Sequence, residues 1–187
     1  MRLFVAADLP VQVHEALCET SAALRELAHG RYVAPDSFHL TLAFLGEVPG
    51  SQLDDAIAAL EEACLGQGPI EVALGPLGSF GRASRATLWQ GLARGVDELA
   101  GLAGDVRECL AERGLAYDAT LFVPHVTLMR AADLSAGTLP MPQVAKGAIE
   151  TVTLYRSDLS GERPRYEALH VVRLQAPPDQ DWEGNLS

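Results

Sequence analysis

The chain is short of lysine and of cysteine. Of its 187 residues, Lys146 is the one lysine, against thirteen arginines, and the three cysteines, Cys18, Cys64 and Cys109, are an odd number set far apart. Each cysteine falls in a stretch that reads as helix, so the pattern indicates neither a disulfide framework nor a zinc knuckle, and the thiols are expected in or beside the core. Acidic residues outnumber basic ones, 25 to 14, for a net charge of −11. Such a surface repels long polyanions, which excludes tight, sequence-independent binding to a duplex; any nucleic-acid substrate would be grasped locally, at an end. No apolar run approaches a membrane span. Met1-Arg2-Leu3-Phe4-Val5 leads straight into a strand-like segment rather than a signal peptide, so the expectation is a cytoplasmic protein without membrane contact. With 48% hydrophobic and 21% charged residues the composition is that of a globular domain with enough core to fold unaided.

What the sequence does contain is one phrase written twice: His39-Leu40-Thr41-Leu42 and His125-Val126-Thr127-Leu128. In an extended strand, residues two apart share a face, so each phrase sets an imidazole beside a hydroxyl and turns its apolar residues the other way. Around the first phrase, Phe38, Leu40, Leu42 and Phe44 form the apolar face, and Ser37, His39, Thr41 and Ala43 the small or polar one. One such strand is unremarkable, whereas two with the same division point to a site.

Along the chain, residues 2–8 read as a strand and Leu9-Pro10 introduces a helix over 11–29, which Gly30 ends. The first His-x-Thr strand follows the Pro35-Asp36 turn. A second helix spans 52–65, a strand 70–77, an irregular connection 78–85, a strand 87–92 and a third helix 96–113. The second phrase lies in a strand over 121–130, followed by a loop over 131–143, and strands 149–157 and 166–174 joined by a hairpin around Ser160-Gly161. The two histidines are 86 positions apart, and that shift lays the first strand and helix on the strand at 89–94 and the third helix. The reading is therefore a single α+β domain over 1–175, bilobal, with an internal repeat of roughly 2–77 and 86–174 and an acidic, loose tail over 176–187. Two lobes related by a pseudo-two-fold can bring both histidines and both threonines to one cleft.

Two imidazoles suit a reaction that takes a proton from one oxygen and delivers one to another near neutral pH. Neutral threonine hydroxyls can hold the oxygens of a phosphodiester during in-line attack. A dinuclear metal centre would want carboxylates among the histidines, and Asp36 beside one phrase has no counterpart beside the other, so neither metal nor cofactor is expected. Spacing alone leaves open which histidine is acid and which is base. Arg130 is a candidate phosphate ligand, although strict alternation from His125 and Thr127 continues to Met129, and Arg130 needs a bulge to face inward. Phe44 and Phe122 read as core. His14 and His29, on or at the end of the first helix, read as exposed or in contact with its C-terminus, and His170 has no threonine partner.

These residues resemble the two-histidine (2H) phosphoesterase superfamily, and within it the RNA 2',3'-cyclic phosphodiesterases, also called 2'-5' RNA ligases. The resemblance spans about residues 2–174. It rests on the opening Arg2-Leu3-Phe4-Val5-Ala6-Ala7-Asp8-Leu9-Pro10, on Phe38 to Val48, on Pro124 to Arg130, and on Leu154-Tyr155-Arg156-Ser157 with Arg165-Tyr166-Glu167. It implies a bilobal fold with an antiparallel sheet in each lobe and helices outside. It also implies hydrolysis of a terminal 2',3'-cyclic phosphate to a 2'-phosphomonoester, and weak reversible 2'-5' RNA ligation. His125 would accept the proton of the attacking water, His39 would donate to the departing 3'-oxygen, and Thr41 and Thr127 would hold the phosphoryl oxygens. Arg130, Arg165 and Tyr166 become candidate substrate contacts. The implied partners are RNA ends or short oligoribonucleotides, taken by a monomer. The alternatives are another 2H specificity, for a small cyclic nucleotide or an ADP-ribose cyclic phosphate, and a non-catalytic module that binds nucleotides or RNA ends.

Overall fold

A computed structural model describes residues 1–135, 139–161 and 163–176; the acidic tail expected from residue 176 onward lies outside these from 177. Among the described residues, nine strands form two antiparallel sheets with three α-helices packed on them. The four-stranded sheet contains β1 (Arg2–Ala7), β3 (Leu40–Glu47), β8 (Thr151–Asp158) and β9 (Arg165–Arg173), in the order β3-β1-β8-β9. The five-stranded sheet contains β2 (His29–Tyr32), β4 (Ile70–Phe80), β5 (Ala86–Arg94), β6 (His125–Asp133) and β7 (Lys146–Ile149), in the order β2-β6-β5-β4-β7. In each sheet the strand of the His-x-Thr phrase pairs with an inner strand: β3 with β1, and β6 with β5. Each sheet draws strands from both halves of the chain.

The interior strands are apolar on both faces because both faces are covered. Leu3, Val5, Ala6 and Ala7 of β1 are fully buried, as are Leu40, Leu42, Val126 and Leu128 of the two phrases. Helices α2 (Leu53–Ala63) and α3 (Val96–Glu112) pack on each other, α2 against β8 and β9, and α3 against β3 and β4. Helix α1 (Val11–Leu24) lies against β7 and buries Val13, Leu17 and Leu24. Among the described residues no helix is long and apolar enough to cross a membrane. All three cysteines are free thiols.

Several boundaries differ from the sequence reading, each for a packing reason. The first helix stops at Leu24 rather than 29, and His29 to Tyr32 become β2, paired with β6. Gly30, read as a helix stop, is instead the point where β2 presses on β6: a Cβ there would lie 2.6 Å from Met129 Sδ and 3.0 Å from Ala132 Cα. Residues 78–80, read as irregular, extend β4, because Gly78, Ser79 and Phe80 pair with Trp89, Leu88 and Thr87. The second phrase's strand runs on to Asp133, and Lys146–Ile149 form a separate strand that finds β4 as its partner. His39 stands just before β3, which begins at Leu40.

The expected division of faces also breaks in both phrases, at the same place. In β3, Thr41 pairs with Ala6 and Ala43 with Val5, so Leu42 is an extra residue, a β-bulge. In β6, Thr127 pairs with Trp89 and Met129 with Leu88, which makes Leu128 the extra one. Ala43 and Met129 accordingly turn into the core, both fully buried, and the residues after them, Phe44 and Arg130, turn out.

Candidate active site

The strands of the two phrases meet where the sheets face each other, with β3 packed on β6. A cleft of about 740 Å³ opens there, lined by His39, Thr41, His125 and Thr127 together. Both imidazoles are held in the same way. His39 Nδ1 lies 2.8 Å from the Ser37 carbonyl oxygen and His125 Nδ1 lies 2.6 Å from that of Val123, each two residues upstream. A carbonyl only accepts, so Nδ1 carries the hydrogen in both rings, and Nε2 is left as the position that gains or loses a proton.

Aromatic walls fix the ring planes. His39 sits against Phe4 at 4.9 Å and edge-on to Tyr166 at 5.2 Å between centroids. His125 sits edge-on to Phe80 at 5.1 Å and against Trp89 at 5.6 Å. Trp89 in turn needs Gly78 opposite it, where a Cβ would come within 2.2 Å of its ring. Behind His39, Phe4 stacks on Tyr155, whose hydroxyl donates to Asp8 at 2.7 Å. The hydroxyls of Thr151 and Thr153 donate to the same carboxylate at 2.7 and 2.6 Å, tying β1 to β8, and burial with the Asp8 bond pushes the Tyr155 phenol up to about 12.

Burial holds both imidazoles below their ordinary pKa. For His39 the Ser37 bond and Asp8 oppose that fall, while Arg130 and His125 reinforce it. For His125 the Val123 bond opposes it and Arg130 reinforces it. Without an anion in the cleft the pair therefore favours its neutral forms at pH 7. An anion bound in the cleft would raise both.

Arg130 lines the cleft, brought there by the bulge at Leu128. Tyr166 lines it as well. Arg165 is not among the lining residues: consecutive side chains of β9 point to opposite faces, and Tyr166 takes the cleft side. The arginine that does reach the cleft from this hairpin is Arg163. Sequence reasoning also passed over Arg25, Arg31, Tyr32 and Thr87, which line the same cleft. The signal of Arg31 and Tyr32 was hidden with β2, a four-residue strand without alternation, while Arg25 caps α1 and Thr87 lies in β5.

A second cavity of about 240 Å³ adjoins the first and shares Thr41, Phe80 and His125 with it. Its walls include Phe44, Phe122 and Arg107. Read as core, Phe44 and Phe122 are both half-buried, and Phe122 packs on the core while lining this space. Arg107 donates to the Leu42 and Thr120 carbonyls at 3.2 and 3.1 Å, and so ties the segment before His125 to β3.

The remaining histidines do other work. His14 Nε2 lies 3.0 Å from the Pro35 carbonyl and braces the segment leading into His39. His29 is in β2, and His170 Nε2 lies 3.0 Å from a Glu61 carboxylate oxygen. Among the described residues, Glu62, Cys109 and Glu112 lie close enough together to share an ion; none of them lines the cleft.

Known proteins resemble this chain over most of its length. The model of the 2'-5' RNA ligase superfamily matches residues 13–161. An RNA 2',3'-cyclic phosphodiesterase of Escherichia coli is 34% identical over 169 residues, 90% of this chain and 93% of that protein. One of Geobacillus stearothermophilus is 30% identical over 94% of this chain, which spans only 58% of that longer relative. Among solved structures, a protein of Thermus thermophilus superposes with a TM-score of 0.82 at 28% identity, covering 94% of this chain and 99% of the other. Escherichia coli LigT complexed with 3'-AMP superposes with a TM-score of 0.74 at 32% identity, over 92% and 96%.

Proposed function

We propose that this chain, which belongs to the 2'-5' RNA ligase superfamily, is an RNA 2',3'-cyclic phosphodiesterase that works by paired imidazole catalysis. The observation that carries the reading is the mirrored setting of His39 and His125, each Nδ1 fixed on the carbonyl two residues upstream and each lining one cleft with its threonine. Two groups able to exchange protons on either side of a bound phosphate are what in-line attack requires. The relatives' names support the substrate class.

In this reading His125 Nε2 takes a proton from water as its oxygen attacks phosphorus. The bond from phosphorus to the 3'-oxygen breaks, and His39, protonated at Nε2, gives its proton to that oxygen. Water has then been added across one bond, leaving a 2'-phosphomonoester and a free 3'-hydroxyl. Thr41 and Thr127 hydroxyls, with Arg130, hold the non-bridging oxygens. Run in the same direction with an RNA 5'-hydroxyl in place of water as the nucleophile, the same steps leave a 2'-5' phosphodiester and a free 3'-hydroxyl, which is 2'-5' ligation. The reverse of those steps cleaves it. The smaller cavity, with Phe44, Phe80 and Phe122 in its walls, suits the face of the terminal base. An RNA substrate makes the cytoplasm the expected place of work, with the protein acting as a monomer.

The test offers the purified protein three substrates in parallel: an oligoribonucleotide ending in 2',3'-cyclic phosphate, cyclic AMP, and an ADP-ribose cyclic phosphate. Turnover of the RNA end is expected. Turnover of either small substrate alone would keep the two-histidine chemistry and overturn the RNA assignment.

A further inference from the structure

The large cleft has a charge opposite to that of the chain. Four arginines, Arg25, Arg31, Arg130 and Arg163, line it, and among the described residues no aspartate or glutamate does, in a protein of 25 acidic and 14 basic residues. Two of these arginines are placed against each other. Arg31 of β2 is the register partner of Arg130 of β6, and like charges directly opposite in an antiparallel ladder repel. Among the described residues neither forms a salt bridge, and neither do Arg25 or Arg163, whereas Arg113, Arg156 and Arg173 are all paired with glutamates. Arg25, at the end of α1, lies over the Tyr32 ring at 4.7 Å, beside Arg31. A cross-strand arginine pair that meets no carboxylate among the described residues is an arrangement that an anion completes.

One phosphate does not account for all of it. Arg130 stands three residues beyond Thr127, about 10 Å along the strand, and β2 lies on the far side of β6 from β5. Arg130 thus serves the edge of the reacting centre, and Arg31 and Arg25 lie outward of it. An RNA end brings further phosphates at regular spacing; a cyclic mononucleotide brings none.

Resting on the phosphodiesterase reading, we propose that Arg31 and Arg25 form a second phosphate subsite, which binds the phosphodiester upstream of the terminal cyclic phosphate and selects oligonucleotides over mononucleotides. The acidic remainder of the surface confines this attraction to the cleft, so a short single-stranded end is held and a long duplex is not.

Equilibrium binding tests the subsite separately from turnover. The probes are a fluorescent trinucleotide and a mononucleotide, each ending in the 2'-phosphate of the product, measured by anisotropy against the wild type, Arg31→Ala, Arg31→Lys and Arg25→Ala. The wild type is expected to bind the trinucleotide at least tenfold more tightly. Arg31→Ala is expected to weaken the trinucleotide about tenfold and the mononucleotide by no more than about twofold, with Arg31→Lys between, and to lower the salt dependence of trinucleotide binding by about one phosphate's contribution, a slope near 0.7 for single strands. Equal affinity of the two probes for the wild type, or equal losses on both in Arg31→Ala, would overturn the subsite. Absence of turnover with any cyclic phosphate would overturn the underlying function and leave the binding comparison standing.

Discussion

Phe44 and Arg130 hold equivalent places in the molecule. Each stands three residues after the threonine of its phrase, and each is turned outward by a bulge at the residue following that threonine, Leu42 in β3 and Leu128 in β6. The repeat is thus one of backbone irregularity as well as of sequence, and its two products differ in chemistry. Phe44 lines the small aromatic cavity and Arg130 the large basic cleft. The pseudo-symmetric frame sets the same imidazole and hydroxyl on both sides and turns a different side chain into each cavity.

Arg130 is therefore expected to matter for phosphate rather than for folding, since its side chain is exposed. Arg130→Ala should cost about 2 kcal/mol of transition-state binding, roughly 30-fold in kcat/KM, as expected for a hydrogen bond to a charged group. Its thermal midpoint should remain close to the wild type's. Steady-state kinetics beside a melting curve checks both.

The two histidines should separate by leaving group. His39→Ala and His125→Ala should each lose 10²- to 10⁴-fold or more on an RNA cyclic phosphate. With a nitrophenyl phosphodiester, whose leaving group needs no proton, His39→Ala should recover most of its loss and His125→Ala should not. Recovery in His125→Ala instead would exchange the acid and base roles.

The pH profile follows from the depressed imidazoles. Attack on free enzyme needs His39 protonated and His125 neutral, and burial lowers both pKa values below about 6.5. The bell of kcat/KM should then centre below pH 6.5, and that of kcat higher, because bound phosphate favours protonation. Stability carries the same sign. Between the folded values and about 6.5 the unfolded chain binds more protons, so folding weakens as pH falls through that window and regains its full value above it. Replacing both histidines by glutamine should flatten this part of the melting-temperature profile. A kcat/KM maximum above pH 7.5 would contradict the assignment.

Gly78 is a remote control on His125. A Cβ at this position would meet the Trp89 ring, which packs on His125. Gly78→Ala should destabilise the fold by about 1–3 kcal/mol as an overpacked site and lower kcat more than it raises KM. Chemical shifts of the His125 ring report the displacement.

Much of this was legible in the sequence because the His-x-Thr phrase couples a local period to a chemical pair, and because its duplication at a fixed interval implies a shared frame. The sheet edges were not. Gly30 looks like a helix stop and is instead a contact point under Met129, so β2 and Arg31 stayed hidden. Arg165 is a candidate substrate contact only through the family resemblance, and alternation in β9 sends it to the face opposite Tyr166. The turn of Arg130 out of the core and into the cleft depends on a bulge set by pairing with β5, a tertiary matter that alternation within β6 cannot show.

The most direct measurement follows an oligoribonucleotide ending in 2',3'-cyclic phosphate, incubated with the protein in EDTA, and resolves 2'- from 3'-monophosphate products. Selective formation of the 2'-phosphate, undiminished by the chelator and lost in His39→Ala and His125→Ala, is the expected result. A 3'-phosphate product would contradict the assignment of the 3'-oxygen as leaving group, and turnover abolished by EDTA would contradict the two-imidazole mechanism.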